Sequence, residues 1–360
     1  MGNSKIFSLL DASNAFLQVP LENKSSDLCT IATPYGRYKY LRMPFGICNA
    51  PEIFQKIIID ILDGLPGVIA YFDDILVFGK DEASHNKCLE NVLKKISESG
   101  LTLNKDKSKF GVSEVKFLGH IINSNGIKVD VSKVKAILDM EAPKSRADLQ
   151  RFLGMINYLT KFLPNLSDKI YALRLLLSTK SEWIWDSNHE KCFKELKSLV
   201  TATPVLSYFD PNKEITLSVD ASQYGMGAVL LQDNHPIEFA SVSLNKCQQK
   251  YSQIEKELFA IVFGCERFKY YLYGRDFIVQ TEHQPLLGIA KKPIDQLSPR
   301  LQRLLLRLLR YKAQLVYMPR KKLQVADTLS RAPSVDVFEL NNLDINLNVF
   351  SIIVTSDEKV

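Results

Sequence analysis

The stretch GVIAYFDDILVFG, residues 67–79, is one apolar run interrupted at its centre by two carboxylates, Asp73 and Asp74. Its halves, Val68-Ile69-Ala70-Tyr71 and Ile75-Leu76-Val77-Phe78, are rich in the β-branched and aromatic residues that favour strands. Two strands joined by a short polar step form a hairpin whose tip carries both acids. Adjacent ionised carboxylates repel, and burying either one unpaired is costly. The tip is therefore a solvated turn or a cation site. Solvated turns favour Gly, Asn or Pro, and this one has none. The acids are placed rather than spare.

A third acid follows the same logic. In FSLLDASNAF, Asp11 ends the strand-like run Phe7-Ser8-Leu9-Leu10. If that strand lies beside the hairpin, Asp11, Asp73 and Asp74 converge. Three carboxylates on one sheet call for hard divalent cations, and Mg²⁺ is the usual partner of oxygen ligands, with Mn²⁺ as the alternative. Two such ions activate a hydroxyl nucleophile and stabilise a leaving pyrophosphate.

The remaining sequence bounds the class. A chain of 360 residues, 46% hydrophobic and 24% charged, has the material for two or three globular domains and is too apolar to be disordered. The six cysteines (Cys29, Cys48, Cys88, Cys192, Cys247 and Cys265) are scattered without a C-x-x-C pair. That excludes a zinc ribbon or disulfide scaffold and fits a reducing compartment. No secretion signal and no apolar run of membrane-spanning length is visible, which points to the cytoplasm. The chain enters a strand pattern almost at once, as expected of an N-terminally truncated piece.

Charge is concentrated. Between Lys291 and Lys322 ten basic residues face Asp295 alone, a local charge of +9 that leaves −3 for the rest of the net +6. Arg300, Arg303, Arg307 and Arg310 recur at helical spacing with Leu301, Leu304, Leu305 and Leu308 between them. The leucines predict a buried face and the arginines a guanidinium stripe. Such a stripe is either a solvated helix face or a phosphate-binding surface.

Along the chain, residues 5–125 alternate strand and helix patterns, and 126–182 read as mostly helical, broken at Pro164-Asn165 and Ser178-Thr179. A second α/β pattern runs from Trp183: helix HEKCFKELKSLV, strands EITLSVDAS, GMGAVLLQ and HPIEFASVSL, one long helix QKYSQIEKELFAIVFGCERFKYYL, and strand DFIVQTE. The basic helix, strand KAQLVYMP and helical VADTLSR complete it. Residues 334–360 read as a tail or linker. Acids again mark strand ends: Asp220 after Ile215–Val219, with Gly225 and Gly227 in the next turn, and Glu282 after Phe277–Gln280. On the long helix, Ile254, Leu258, Ile261, Cys265, Phe268 and Leu272 form the buried face. Glu257 lies about 60° to one side of it, at roughly 100° per residue, while Lys256 points away.

These motifs resemble a known family. Tyr71-Phe72-Asp73-Asp74 is similar to the Tyr-x-Asp-Asp box of reverse transcriptases, LRMPFGICNAPEIFQ (41–55) to their template-and-nucleotide motif, and KFLGHII (116–122) to their primer grip. In this order they resemble the polymerase of gypsy-like LTR retrotransposons, from about Ile6 to Pro333. The resemblance implies an α+β palm over 1–125, a helical thumb or connection over 126–182, and a ribonuclease H-like α/β domain over 183–333. It implies that Asp11, Asp73 and Asp74 are the metal-binding polymerase triad, that Phe16 is the steric gate against a ribose 2′-hydroxyl, and that Gly46 and Gln55 line the nucleotide pocket. Asp220, Glu257, Glu282 and Asp327, each alone a plausible surface acid, together resemble the Asp-Glu-Asp-Asp set of ribonuclease H. Two Mg²⁺ per site, an RNA template, a DNA primer, dNTPs and RNA–DNA hybrid are the implied cofactors and partners. Arg303, Arg307 and Arg310 would meet hybrid phosphates. Other polyprotein parts and retrotransposon particles are the implied context.

Two departures stand out. The family's strand-ending Thr-Asp-His is Thr281-Glu282-His283 here, and one extra methylene displaces the carboxylate by more than an ångström. The fingers region expected before Asp11 is missing, as are protease and integrase patterns. An alternative is thus a catalytically impaired or domesticated nucleic-acid-binding remnant. A third reading, an α/β hydrolase with incidental acids, leaves the ordered motifs unexplained.

Overall fold

A computed structural model describes residues 2, 4–178, 182–319 and 350–351. The chain divides into two compact units, Met1–Ile127 and Lys128–Val360. In the first unit, β1 (Ile6–Ala12) leads through α1 (Asn23–Leu28) to an exposed hairpin, β2 (Thr30–Thr33) and β3 (Gly36–Lys39). Next come α2 (Ala50–Leu62), β4 (Val68–Tyr71), β5 (Asp74–Gly79), α3 (Glu82–Glu98) and β6 (Leu103–Val112). The main sheet has the order β4-β5-β1-β6 and is antiparallel throughout. Alternation decides its faces. Leu10, Ala12, Ile75 and Val77 point into a core with Phe54 and Ile58 of α2 and Val92 and Ile96 of α3. The opposite face carries Leu9, Asp11, Asp74 and Leu76. Beyond β6, β7 (Glu114–Phe117), β8 (His120–Asn123) and β9 (Gly126–Val129) form a small sheet.

The second unit begins with helices α4 (Val131–Leu138), α5 (Arg146–Tyr158), α6 (Leu166–Leu176) and α7 (Ser187–Thr201). A larger sheet follows, built on β10 (Thr216–Ala221), β11 (Gly225–Gln232) and β12 (His235–Ser243), then β13 (Asp276–Thr281) and β14 (Lys312–Tyr317). Its order is β12-β11-β10-β13-β14, with Phe350–Ser351 paired beyond β14, and β10–β13 and β13–β14 are parallel. α8 (Gln253–Arg267) covers one face. Leu258, Ile261 and Cys265 pack with Leu217, Val219 and Leu230 of the sheet and with Leu301, Leu304, Leu305 and Leu308 of α11 (Pro299–Leu308), so each predicted leucine is buried.

Three expectations are corrected. The long helix is split: Ser252 and Glu255 make a capping box that starts α8, and Phe268 at φ −99 leaves helical geometry before α9 (Lys269–Leu272). Lys256 is buried at 5% exposure, because α8 packs against α11 as well as against the sheet. Gly225 and Gly227 lie in β11 and not in a turn. A Cβ at 225 would stand 2.8 Å from Ser167 Cβ, and one at 227 would stand 2.5 Å from Asn165 Oδ1. The start of α6 lies too close to that strand for a side chain. Among the described residues no helix is long and apolar enough to cross a membrane.

Candidate active sites

The hairpin forms as its two halves predict, with Tyr71 paired to Asp74 across the turn. The turn's first central residue is Phe72 at φ +50, left-handed backbone that costs a non-glycine residue about 1–2 kcal/mol. Gln55 on α2 offsets that strain. Its side chain donates to the Ala70 carbonyl at 3.1 Å and accepts from the Phe72 N–H at 2.6 Å. The sequence reading placed Gln55 at a nucleotide pocket; the structure uses it to grip the acidic turn.

Asp11 on β1 is registered directly opposite Asp74 on β5, so both side chains lie on the face away from α2 and α3. Asp73 is tied to the same strand, its carbonyl accepting from the Ala12 N–H at 2.8 Å. The three acids are thus brought together. Burial first, then Asp11, holds the Asp73 carboxyl above the usual carboxylate range, and Asp74 is raised by burial, Asp11 and Asp73 in that order. Asp73 Oδ1 is buried with no hydrogen-bond partner.

One cation reaches this cluster. Lys107 Nζ lies 3.8 Å from Asp11 Oδ1 and lowers both Asp73 and Asp74. Its lysine is 69% exposed, so the pair contributes at most about 1 kcal/mol. Lys107 comes from an irregularity in β6, where the register with β1 shifts between Leu9 and Asp11. Asn104 Oδ1 accepts from the N–H groups of Asp106 and Lys107, and Ser108 Oγ donates to the Asn104 carbonyl and accepts from the Asp11 N–H. The sequence reading missed this lysine. The Asn-Lys-Asp-Lys-Ser run hints at a turn, but only the register shows which lysine reaches Asp11.

Phe16 sits in a 3-10 turn (Ala15–Gln18), half-buried against Phe45 and Phe54 with ring centroids 5.4 and 6.0 Å away. Gly46 has φ +92 with open space where a Cβ would stand, so backbone conformation rather than crowding demands glycine there.

In the second unit Asp220 lies on β10 opposite Gly227, Glu257 on the second turn of α8, and Glu282 just past β13. Glu257 is 4% exposed. Burial, then the charges of Asp220 and Glu282, pushes its carboxyl up to about 7, against a Gln253 hydrogen bond that lowers it. Glu257 Oε2 is buried without a partner. Asp220 and Glu282 are thus both near enough for their charges to act on Glu257. Asp327 lies outside the described residues.

The arginine stripe is only partly open. Arg300 Nη1 donates to both Glu255 carboxylate oxygens and its guanidinium stacks on Tyr251, and Arg307 forks onto Glu266 of α8 at 2.9 and 2.5 Å. Arg307, expected to project toward phosphate, is engaged within the fold. Arg303 donates to the Pro299 carbonyl of its own helix.

Comparison with known proteins separates the two sites by kind. Residues 1–122 match the family described as reverse transcriptase (RNA-dependent DNA polymerase), and residues 185–279 match an RNase H-like domain found in reverse transcriptase. The chain carries a reverse transcriptase domain and, behind it, a ribonuclease H-like domain. It is 38% identical, over 97% of its length, to the retrovirus-related Pol polyprotein from transposon opus of Drosophila melanogaster, and 36% identical over 92% to that from transposon 297. A Tf2-3 transposon polyprotein of Schizosaccharomyces pombe is 33% identical over 91%. The chain covers 36%, 31% and 25% of these polyproteins. Among solved structures, the foamy viral protease-reverse transcriptase in complex with dsDNA superposes with TM-score 0.78 at 25% identity, covering 88% of this chain and 68% of that one. The same enzyme with RNA/DNA hybrid gives 0.76 at 25% identity, covering 94% and 47%. The acidic hairpin and Asp11 fall inside the reverse transcriptase match, and Asp220 and Glu257 inside the ribonuclease H-like match.

Proposed function

We propose that this chain supplies RNA-directed DNA synthesis and cleavage of the RNA strand in RNA–DNA hybrid, with the polymerase centre at Asp11, Asp73 and Asp74 and the nuclease centre at Asp220, Glu257, Glu282 and Asp327. The layout proposed with it is a palm over 1–125, a helical thumb or connection over 126–182 and a ribonuclease H-like domain over 183–333. The observation that carries the reading is the Asp11–Asp74 cross-strand pair with Asp73 at the adjoining turn, inside the reverse transcriptase match.

Divalent cations fit both centres. Each offers hard oxygen donors only, and each has a buried carboxylate oxygen without a partner, Asp73 Oδ1 and Glu257 Oε2. Among the described residues no three His, Cys, Asp or Glu side chains stand as a ready-made ion cage. Mg²⁺ is commonly held by one or two carboxylates together with the substrate's phosphates. When bound, such ions neutralise the charge that develops on the attacking and leaving oxygens.

The chain's own residues do the rest. Gln55 fixes the acidic turn, so that Asp73 and Asp74 keep one orientation. Phe16, packed against Phe45 and Phe54, is the ring that would exclude a ribose 2′-hydroxyl. Lys107 balances Asp11 and offers a charge-assisted donor to a triphosphate. Arg303 and Arg310 remain for duplex phosphates.

A second reading is that the nuclease centre is impaired, and Glu282 is the observation that favours it. Its longer arm must fold back or displace an ion, and sites tolerate such shifts poorly. The test uses the full chain with Mg²⁺, comparing extension of a DNA primer on RNA with cleavage of labelled RNA in hybrid. Asp73→Asn should abolish extension and spare cleavage, while Asp220→Asn should do the reverse. Extension that survives Asp73→Asn would refute the polymerase assignment.

A further inference from the structure

Gln253 opens α8, four residues before Glu257 and on the same helix face. Its side-chain Nε2 lies 2.8 Å from Glu257 Oε1 and 3.0 Å from the Ala221 carbonyl oxygen. A carboxamide nitrogen carries two hydrogens, and here both are used. The amide orientation follows from chemistry, since the flipped group would set its oxygen against two acceptors. Ala221 is the last residue of β10 and the neighbour of Asp220. One side chain therefore ties the acid on the helix to the strand that bears the other acid.

We propose that Gln253 is a positioning residue for the ribonuclease H-like centre: it holds Glu257 Oε1 so that the buried, unpartnered Oε2 is the oxygen presented to a divalent cation. The proposal rests on the nuclease reading of that centre. The start of α8 is already capped by Ser252 and Glu255, whose Oε2 accepts from the Ser252 N–H at 3.0 Å. The core beneath is filled by Leu258, Ile261 and Cys265. Glutamine suits the place on chemical grounds. Asparagine is one methylene short of spanning both acceptors, and glutamate would aim a carboxylate at a carboxylate and a carbonyl.

The test uses the full chain carrying Asp73→Asn, which silences the first centre, so that Mn²⁺ titration by calorimetry reports the second. Gln253→Met keeps the shape and removes both donors. It should weaken Mn²⁺ binding about ten- to a hundredfold, as expected when the group orienting a metal ligand is lost. Single-turnover cleavage of hybrid RNA should slow comparably, while hybrid affinity and melting temperature stay near those of the parent. With Glu257→Gln also present, Gln253→Met should add nothing to the loss of Mn²⁺ affinity, because the two act as one unit. Unchanged Mn²⁺ affinity would overturn the proposal. So would a loss of hybrid affinity alone, which would make Gln253 an RNA contact, or a fall in melting temperature matching the loss of binding, which would make it structural. If the parent shows no Mn²⁺ binding or RNA cleavage that depends on Asp220, the nuclease reading itself fails and the proposal falls with it.

Discussion

The two acid clusters meet the same electrostatic problem in opposite ways. In the first unit, Asp11, Asp73 and Asp74 share an open sheet face and a turn, and Lys107 reaches Asp11 from a bulge, 3.8 Å away. In the second, Glu257 is buried on a helix beside two more acids, and a neutral amide, Gln253, donates to it. The first cluster carries a resident counter-charge, and Asp73 and Asp74 are raised by burial and by their acid neighbours. In the second, burial and the charges of Asp220 and Glu282 push Glu257 up to about 7. A site that keeps its own cation resists repulsion before substrate arrives.

The largest effect that would break this contrast is on stability. Glu257 titrates near 7 in the folded chain and near 4.5 when unfolded. Between those values the folded chain holds a proton that the unfolded chain has released. Stability from this group therefore falls as pH rises through the window and stays lower above it. The full difference is roughly 3 kcal/mol. In chelator, Glu257→Gln should be more stable than the parent by up to that amount near pH 8, and gain nothing near pH 4. Urea unfolding at both pH values measures it, and an equal gain at both would show that protonation of Glu257 is not linked to folding.

Next comes the grip on the acidic turn. Gln55→Ala removes both bonds that hold Phe72 in left-handed backbone, and should slow DNA synthesis about ten- to a hundredfold. RNA cleavage should be untouched; parallel loss of both activities would mean the change acts through global stability. A smaller effect is expected at Glu282. Changing Glu282→Asp should raise single-turnover RNA cleavage roughly three- to tenfold, at most about 1.4 kcal/mol of barrier, with hybrid affinity constant. Equal rates would mean the second site has adapted to glutamate. The smallest effects sort the arginines. Arg303→Ala with Arg310→Ala should reduce the salt slope of hybrid binding by about two. Arg307→Ala should leave that slope alone and cost about 0–1 kcal/mol of stability through the lost Glu266 pair.

Much of this was legible because it is local. The hairpin follows from two apolar halves around Asp73-Asp74, and the buried leucines of α11 and the core face of α8 follow from helical spacing. Asp11 could be joined to the hairpin because an acid at a strand end has few reasons to be there. What escaped depends on distant register. Lys107 reaches Asp11 only because β6 slips against β1, a shift its own residues do not specify. Arg300 and Arg307 seemed free because their acids, Glu255 and Glu266, lie 45 and 41 residues away in sequence. The bonds of Gln55 run to Ala70 and Phe72, 15 and 17 residues on, beyond any helical spacing. Gln253 had a readable signal, a Gln–Glu pair at helical spacing, but its link to Ala221 needed the fold.

The central claim is that one chain holds two separate divalent-cation centres, each organised by its own acids. Counting bound Mn²⁺ by electron paramagnetic resonance in the parent, in Asp73→Asn and in Asp220→Asn tests it directly. Each substitution should remove the ions of its own centre and leave the other's affinity unchanged. Loss of all binding from either single change, or of none from both, would contradict the account.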